Sequence, residues 1–582
     1  MRDMLQPGKR LPMMVLASAG LILPSPLAAQ SLATPPIAPT RDELTRAQPS
    51  DAPPRPTLNI VGGIERSPCP LADPRYADVK VTIREVQFNN LKGATADEMR
   101  AAWSPFAGTE QPVSVLCEIR DAAATILREK GYLAAVQVPT QRIENGVVQM
   151  ETLFARVVAV RARGQTDGAE AKLAQYLGKL TEDEYFDRDR AERYLLLARD
   201  LPGYNVQLTL KPAGTGPGEL IGEVAVLRRR YSIDVTVQNL AAQETGRWGA
   251  QLRGQLYGLT GLGDVTSVAF YSTFDFKEQK ILQVAHSFRP GSEGLTIDGQ
   301  FTYAWTKPDI GATGPVPDLK ARTLFWTLGA RYPLIRRQSS NLWVGAGFDY
   351  LDQKVDFFVP LTRDKLRIAW LRAEWDAVDL TSRRPAWRAN ALVELRRGLD
   401  ILGASDGCGG GLCPIGVVPP SRFDGDPTAT LVRVAGQAEV AIGRNFAVAV
   451  APRAQYGFDP LLSFEEFTVG NYTVGRGYDP ATLGGESGVG LSAELRGPRI
   501  QPSSRSKLTL QPYVFGDAAW VWNKDDGIGA EHLKSAGGGV RAELNDRFRI
   551  DSTIAVPLEK AGIQNRKGDV RLLVTLTSRI LP

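Results

Sequence analysis

The residue types that most often do chemistry in proteins are sparse in this chain of 582 residues. It has only two histidines, His286 and His532, and they are far apart in sequence. Zinc sites built on several histidines are therefore close to excluded, and nothing around either histidine supports a catalytic triad. The four cysteines fit an oxidising compartment and two disulfides: Cys69, Cys117, Cys408 and Cys413. We expect a protein without enzymatic activity, metal or cofactor.

A second candidate for chemistry is a glycine-rich stretch that carries an arginine. Arg476 lies between Gly475 and Gly477, and Tyr478 follows. The stretch has neither dinucleotide-binding nor P-loop spacing, which argues against a phosphate site. The two glycines allow a tight turn, so Arg476 can be presented at a loop tip, where its fork of donors needs a carboxylate.

A predicted strand at 508–522 contains such a carboxylate, Asp517. Thr509, Gln511, Tyr513, Phe515 and Asp517 share one parity of this strand, so Asp517 should lie on its polar face. From period and spacing alone, a solvated loop arginine and an ordinary aspartate on that face remain the simpler interpretation.

The element that must position these residues is a large sheet. After residue 230 the helical period gives way to alternation of period two, as at 295–305, 547–556 and 569–580. A soluble sheet with one wet face would need a second apolar layer, and the sequence offers none. Strands of about ten residues, apolar outside and polar inside, are typical of an outer-membrane barrel, and we count about 16 of them at 231–581.

The connections between these strands alternate in length. Short ones lie at 443–445 and 545–547, and long ones are expected at 307–319, 352–363, 399–427, 459–485 and 521–533. If the first strand starts from the periplasm, all the long loops fall on the outer side. Cys408 and Cys413 lie in one of them and should form an extracellular disulfide, since two thiols without nearby His or Cys make a poor metal site.

The N-terminal 29 residues have the pattern of a signal peptide. Arg2, Lys9 and Arg10 precede an apolar run at 11–23, and small residues lead to a cleavage site near Ala29. A run of about a dozen residues is too short for a transmembrane anchor. Residues 30–66 form a Pro-rich linker in which 41–48 is a candidate short helix, with plain linker as the alternative.

Two units of order βααββ are predicted between the linker and the barrel, at 67–155 and 156–229. In each unit the helical pair ends at a Gly-Tyr pair, Gly131 with Tyr132 and Gly203 with Tyr204. A hairpin signal, Asn145 with Gly146, follows in the first unit. We interpret the units as two tandem domains of one kind, ahead of a barrel domain at 230–582.

The chain resembles the two-partner secretion transporters of Gram-negative outer membranes, within a wider superfamily of barrel insertases with POTRA domains. The resemblance covers nearly everything after the linker. The residues that carry it are Cys69, Cys117, Gly131, Tyr132, Asn145, Gly146, the Gly261 to Asp264 segment, Arg476, Gly477, Tyr478, Phe515 and Asp517. The chain departs from the family at Gly475, where the family has valine, and at Ala519, where it has glycine.

The resemblance implies a transmembrane antiparallel β-barrel of about 16 strands, preceded by two periplasmic POTRA-type domains. It implies that the loop around Arg476 folds into the barrel and that Arg476 pairs with Asp517. We call Arg476, Gly477, Tyr478, Phe515 and Asp517 the lumen-loop lock. It also implies that the helix at 41–48 plugs the pore and that a disulfide joining Cys69 to Cys117 staples the first domain.

The function implied is two-partner, or type V, protein secretion across the outer membrane. The POTRA domains would capture a haemolysin- or adhesin-like, β-helical exoprotein as an extended chain, plausibly by adding a strand to a sheet edge. The other partner is outer-membrane lipid. We expect a monomer. We expect no nucleic-acid partner, because the net charge of +5 is small for the length.

Three alternatives differ from this function. A barrel insertase would assemble other outer-membrane proteins, but insertases tend to carry more than two POTRA-like units. A passive porin does not need two such domains or the loop around Arg476. An extracellular hydrolase would need a nucleophile paired with a base, and we find no such pairing.

Overall fold

The computed structural model describes most of the chain downstream of the linker. The described residues are 38–45, 59–60, 69–164, 170–216, 218–309, 318–381, 385–408, 413–503, 507–524, 527, 529–545, 547–562 and 567–581. The predicted signal peptide and most of the predicted linker lie outside these ranges.

The N-terminal elements comprise short linker segments and two βααββ units. They are α1 (Arg41–Leu44), β1 (Asn59–Ile60), β2 (Lys80–Thr82), β3 (Glu85–Asn89), α2 (Ala96–Met99), β4 (Glu110–Pro112), α3 (Val115–Glu129), β5 (Ala134–Gln137), β6 (Val147–Phe154), β7 (Arg156–Gly164), α4 (Glu170–Gly178), α5 (Arg188–Arg199), β8 (Tyr204–Pro212) and β9 (Glu219–Arg228). β2 and β3 are divided at Ile83 and Arg84. The division occurs because the N–H of Arg84 bonds to the carbonyl of Gly146, which turns β3 into the main sheet.

The two βααββ units have the same topology. In the first, the sheet order is β3-β6-β5, with β3 parallel to β6. In the second, β7, β9 and β8 occupy the corresponding places, and β1 adds to β8 in parallel at the sheet edge. Each helical pair buries an apolar face against its own sheet, through residues such as Ile119 and Leu127 in the first unit and Leu173 and Tyr176 in the second.

Sixteen strands then close into an antiparallel barrel. They are β10 (Tyr231–Gln238), β11 (Gly249–Tyr257), β12 (Val265–Thr273), β13 (Gln279–Phe288), β14 (Thr296–Thr306), β15 (Lys320–Arg336), β16 (Ser340–Phe357), β17 (Val359–Val378), β18 (Trp387–Gly398), β19 (Thr430–Ile442), β20 (Phe446–Gly457), β23 (Ser487–Arg496), β24 (Leu508–Trp522), β25 (Glu531–Leu544), β26 (Phe548–Pro557) and β27 (Arg571–Leu581). Two short strands, β21 (Phe467–Val469) and β22 (Leu483–Gly485), form a separate hairpin. The predicted strand number is confirmed.

The exterior of the barrel is apolar, as the alternation predicts. Leu252, Leu328, Leu371, Ile554 and Leu572 are all more than half exposed on different strands. A belt of exposed aliphatic side chains is unfavourable in water and is expected where lipid surrounds the strands. Among the described residues, no helix is both long and apolar enough to cross a bilayer.

The second βααββ unit is docked on one end of the barrel. Arg336, in the β15–β16 region, binds Asp200 through two hydrogen bonds of 2.6 and 2.7 Å. The hydroxyl of Tyr194 donates to Glu293 in the β13–β14 turn at 3.1 Å. These turns belong to the set of short connections, so the connection at 399–429 lies at the opposite end, as predicted.

One predicted long loop is wrong. Residues 352–363 are not a loop but the paired ends of β16 and β17, which turn at the single residue Phe358 with φ of 60°. Asp356 pairs with Pro360 and Phe357 with Val359. The residues there are polar because the strands extend past the apolar belt, and this polarity led to the prediction of a loop. The segment also lacks a turn dipeptide that would have indicated the one-residue turn.

Candidate functional site in the barrel lumen

The connection between β20 and β23 folds back into the barrel. We call residues 458–486 the lumen loop. Its apolar side chains, among them Val469, Val474 and Tyr478, are buried against Ala519 and Leu533 of the barrel wall. A loop of 29 residues would be solvated at the surface, so this packing explains why it is held inside the pore.

Arg476 and Asp517 meet in this loop–wall contact. The Nε of Arg476 donates to Asp517 Oδ2 at 3.1 Å and its Nη2 donates to Oδ1 at 2.8 Å. The backbone N–H of Arg476 also donates to Oδ2, at 2.9 Å. The side chain of Asp517 is 0% exposed and that of Arg476 is 17% exposed. The guanidinium carbon lies 3.6 Å from the ring centroid of Phe515, so the predicted lock residues on β24 both contact Arg476.

Glu494 completes this ion-pair network, and its part in it was not predicted from the sequence. Its carboxylate accepts from Nη1 of Arg476 at 2.7 Å and from Arg541 at 2.9 and 3.0 Å. Arg496 donates to it at 2.9 Å. Glu494 lies on the polar parity of β23 opposite Phe515, but many residues share that parity, so period alone cannot select it.

The other two lock residues contact a neighbouring part of the wall. A Cβ at Gly477 would lie 2.8 Å from the backbone nitrogen of Pro557 and 2.9 Å from Cβ of Ser535, so the close approach requires glycine. The hydroxyl of Tyr478 lies 2.9 Å from the carbonyl oxygens of Lys534 and Glu559. These contacts fix the loop tip against β25 and the β26–β27 connection.

The short helix α1 also lies in the lumen. Its Arg41 pairs with Glu394 at 3.0 Å and its Asp42 with Arg453 at 2.8 Å. Asp42 further accepts from the hydroxyl of Thr468 in the lumen loop at 3.2 Å. Leu44 is 2% exposed within an apolar cluster of barrel and loop side chains. The helix was predicted at 41–48, but the described helix ends at Leu44, and 46–48 lie outside the described residues.

Both cysteine pairs are joined as disulfides. Cys69 is bonded to Cys117 near the start of α3, across 48 residues. Cys408 is bonded to Cys413 in the connection between β18 and β19, across 5 residues. The first ties the segment that precedes β2 to the helical layer of the first unit.

Asp264 closes the turn that the resemblance marked near the start of the barrel. Its carboxylate accepts from the N–H groups of Leu259 and Thr260 and from the Thr260 hydroxyl, at 2.6 to 3.0 Å. Burial tends to raise the pKa of Asp264, but the bonds from Thr260 and Leu259 outweigh it and hold the pKa below its usual range. The charged carboxylate therefore fixes this turn.

The arrangement is suited to holding the loop and the helix in a closed conformation. His286 contacts Thr266, whereas His532 lies near Glu559, so the two histidines have different neighbours. In the described ranges, no three side chains of His, Cys, Asp or Glu are grouped to hold a metal ion. Arg476 with Asp517, and α1 with Glu394 and Arg453, join the loop and the helix to strands of the barrel wall.

A closed 16-stranded barrel with two βααββ domains at one end and an arginine loop in its lumen defines a class of outer-membrane protein. Residues 224–542 match the family described as haemolysin secretion/activation protein ShlB/FhaC/HecB. Residues 81–153 match the POTRA domain of ShlB type. The chain therefore belongs to the ShlB/FhaC/HecB family, and it is an outer-membrane protein whose POTRA domains lie in the periplasm.

Individual relatives match either a smaller part of the chain than the family model does or a large part of it at low sequence identity. The heme/hemopexin transporter protein HuxB of Haemophilus influenzae strain 86-028NP is 27% identical over 197 residues. That match covers 32% of this chain and 34% of HuxB, so it spans about a third of the length of this curated relative.

Two solved structures share the overall fold. CdiB from Escherichia coli superposes with a TM-score of 0.70 at 17% identity and covers 93% of this chain and 95% of its own. CdiB from Acinetobacter baumannii gives a TM-score of 0.63 at 16% identity, with coverage of 90% and 94%. At these identities the likeness establishes the fold alone.

Proposed function

We propose that this chain is a two-partner secretion transporter. It recognises one secreted protein in the periplasm through its two POTRA-type domains and exports it through the barrel, without enzymatic activity. The observation that carries the proposal is the obstructed lumen, in which α1 and the lumen loop are both held by ion pairs to the wall. A pore that is closed by elements able to detach suits a transporter that opens only when its own secreted partner is bound.

Recognition of the partner is assigned to a sheet edge. In the first domain β5 pairs with β6 on one side and is the last strand of the described sheet, so its other side is a sheet edge. An extended segment of the partner can add to such an edge through main-chain hydrogen bonds, with little demand on its sequence. This suits a haemolysin- or adhesin-like exoprotein that crosses unfolded and forms a β-helix only outside the cell.

The transporter acts as a monomer, with its pore inside one chain. The barrel closes through β10 and β27 of the same chain, from Asp234 opposite Arg579 to Gln238 opposite Thr575. All sixteen strands of the wall therefore come from a single protein, and no second copy is needed to complete the conduit.

The test is a comparison of secreted and outer-membrane proteins with and without the gene, complemented by the wild type. The expected result is the loss of one or two large exoproteins from the medium while other barrels keep their abundance. Depletion of other outer-membrane barrels with a normal secretome would instead show a barrel insertase. Unchanged export and unchanged barrels, with reduced uptake of small solutes, would show a porin.

A further inference from the structure

We propose that Arg396 is a second positioning residue of the lumen loop, which it anchors through Glu465 on a part of the wall four strands from the lock and couples to the plug helix α1. The inference rests on the proposed function only in assuming that α1 and the loop close a transport pore. The lock at Arg476 holds residues near the middle of the loop. Glu465 lies 11 residues earlier, in a short 3-10 turn at Ser463–Glu465.

The contact between Arg396 and Glu465 has the geometry of a strong ion pair. Nε of Arg396 donates to Glu465 Oε2 at 2.8 Å and Nη2 donates to Oε1 at 3.0 Å, which is a two-pronged contact. The side chains are 1% and 6% exposed. Arg433 of β19 adds a second cation at 3.3 Å from Glu465. A carboxylate so buried depends on these partners, because without them its desolvation would be uncompensated.

Arg396 is itself held in place by the wall. Its Nη2 also donates to Asp349 of β16 at 2.7 Å, and the indole N–H of Trp370 donates to the other oxygen of Asp349 at 2.9 Å. Three strands, β16, β17 and β18, therefore fix the guanidinium before the loop docks. A preorganised guanidinium loses little freedom on binding Glu465, which favours a defined docked position.

The same arginine links the loop to α1. Nη1 of Arg396 donates to Glu394 at 3.2 Å, and Glu394 accepts from Arg41 of α1 at 3.0 Å. A third cation, Arg372, donates to Glu394 at 2.7 Å. If α1 leaves the lumen, Glu394 keeps Arg372 and Arg396, so withdrawal of the helix does not leave this buried carboxylate without a cation.

The loop differs from α1 in this respect. Loss of Glu465 from the cluster would leave Arg396 and Arg433 with fewer acidic partners, at a larger electrostatic cost. The cluster therefore releases the helix more readily than the loop. Because both share Glu394 and Arg396, a change in one alters the hold on the other.

The anchor is tested by hydrogen–deuterium exchange of the whole purified protein. E465Q keeps the shape of the side chain but removes its charge, and it is compared with D517N in the lock. D234N is the matched control, because the ion pairs of Asp234 are with Arg253 and Arg579, which are on barrel strands and not on the loop or α1. Heat-modifiable migration on gels verifies that each variant forms a barrel. If E465Q does not fold, E465D, which withdraws the carboxylate by one methylene, replaces it.

We expect E465Q to accelerate exchange at 461–469 by about tenfold or more while 474–479 stay within about twofold. D517N should produce the opposite pattern, and D234N should change neither segment. Unchanged exchange at 461–469 in E465Q overturns the anchor. Equal acceleration of both segments also overturns it, because the loop would then be held as one unit.

The coupling is tested by single-channel conductance of R41Q, E465Q and the double variant. Independent contacts give changes in the ratio of open to closed channel that multiply, whereas coupled contacts give a ratio that deviates from the product, here by about threefold or more. A double variant that matches the product overturns the coupling. Neither measurement needs the secreted partner, so their outcome is separate from that of the secretion test.

Discussion

Replacing Arg476 by alanine should release the lumen loop while the barrel stays folded. The substitution removes two side-chain hydrogen bonds to Asp517, one to Glu494 and the contact with the ring of Phe515. The remaining carboxylates are not left bare. Asp517 keeps the backbone N–H of residue 476 and the hydroxyl of Ser535, and Glu494 keeps its other two arginines.

The magnitude follows from this residual pairing. Removing one partner of a buried ion pair costs about 3–5 kcal/mol, and the surviving hydrogen bonds favour the lower end, about 3 kcal/mol. Since 1.4 kcal/mol is a factor of ten, the ratio of docked to released loop falls by about a hundredfold. Lysine at this position keeps the charge but loses the forked donors of arginine. The ratio of docked to released loop in R476K should therefore lie between those of R476A and the wild type.

The assay measures secretion of the partner, single-channel conductance and urea unfolding of the barrel for each variant. R549A is the matched control, because Arg549 lines the same lumen cavity of about 280 Å³ but takes no part in the lock. We expect R476A to lose most secretion and to show longer open states, with an unfolding midpoint close to wild type. Normal secretion by R476A, or a loss equal to that of R549A, would refute the reasoning.

Three further predictions concern the domains and the turns outside the membrane. Removing the disulfide between Cys69 and Cys117, which closes a loop of 48 residues, should destabilise the first domain by about 4 kcal/mol, seen as faster proteolysis within it. D264N should destabilise the periplasmic turn by about 1–3 kcal/mol at neutral pH. Because the pKa of Asp264 is depressed, wild type loses this advantage as pH falls through that folded-state pKa, so urea midpoints of the two should converge in acid. D200N removes the charge that pairs with Arg336, so the second domain should be held less firmly against the barrel. Chemical cross-links between the domain and the barrel should then form at a wider range of positions, whereas D234N should leave the cross-linking pattern unchanged.

The sequence by itself determined the elements and their order. Alternation of period two after residue 230 and the Asn145 and Gly146 hairpin signal depend on neighbours a few residues apart, so they can be read locally. The same holds for the number of strands, since each is an independent apolar–polar segment. The polar parity that contains Asp517 also follows from its own strand alone.

Only the tertiary structure decided which charges meet. Arg41 and Glu394 are 353 residues apart, and Arg396 and Glu465 are 69 apart. Many lumen residues share the parity of Glu394 and Glu494, and the shear of the closed barrel and the path of the loop select among them. The hairpin at Phe358 was not predicted for a related reason. Its strands are stabilised by pairing with each other, and no local turn motif indicates where they meet.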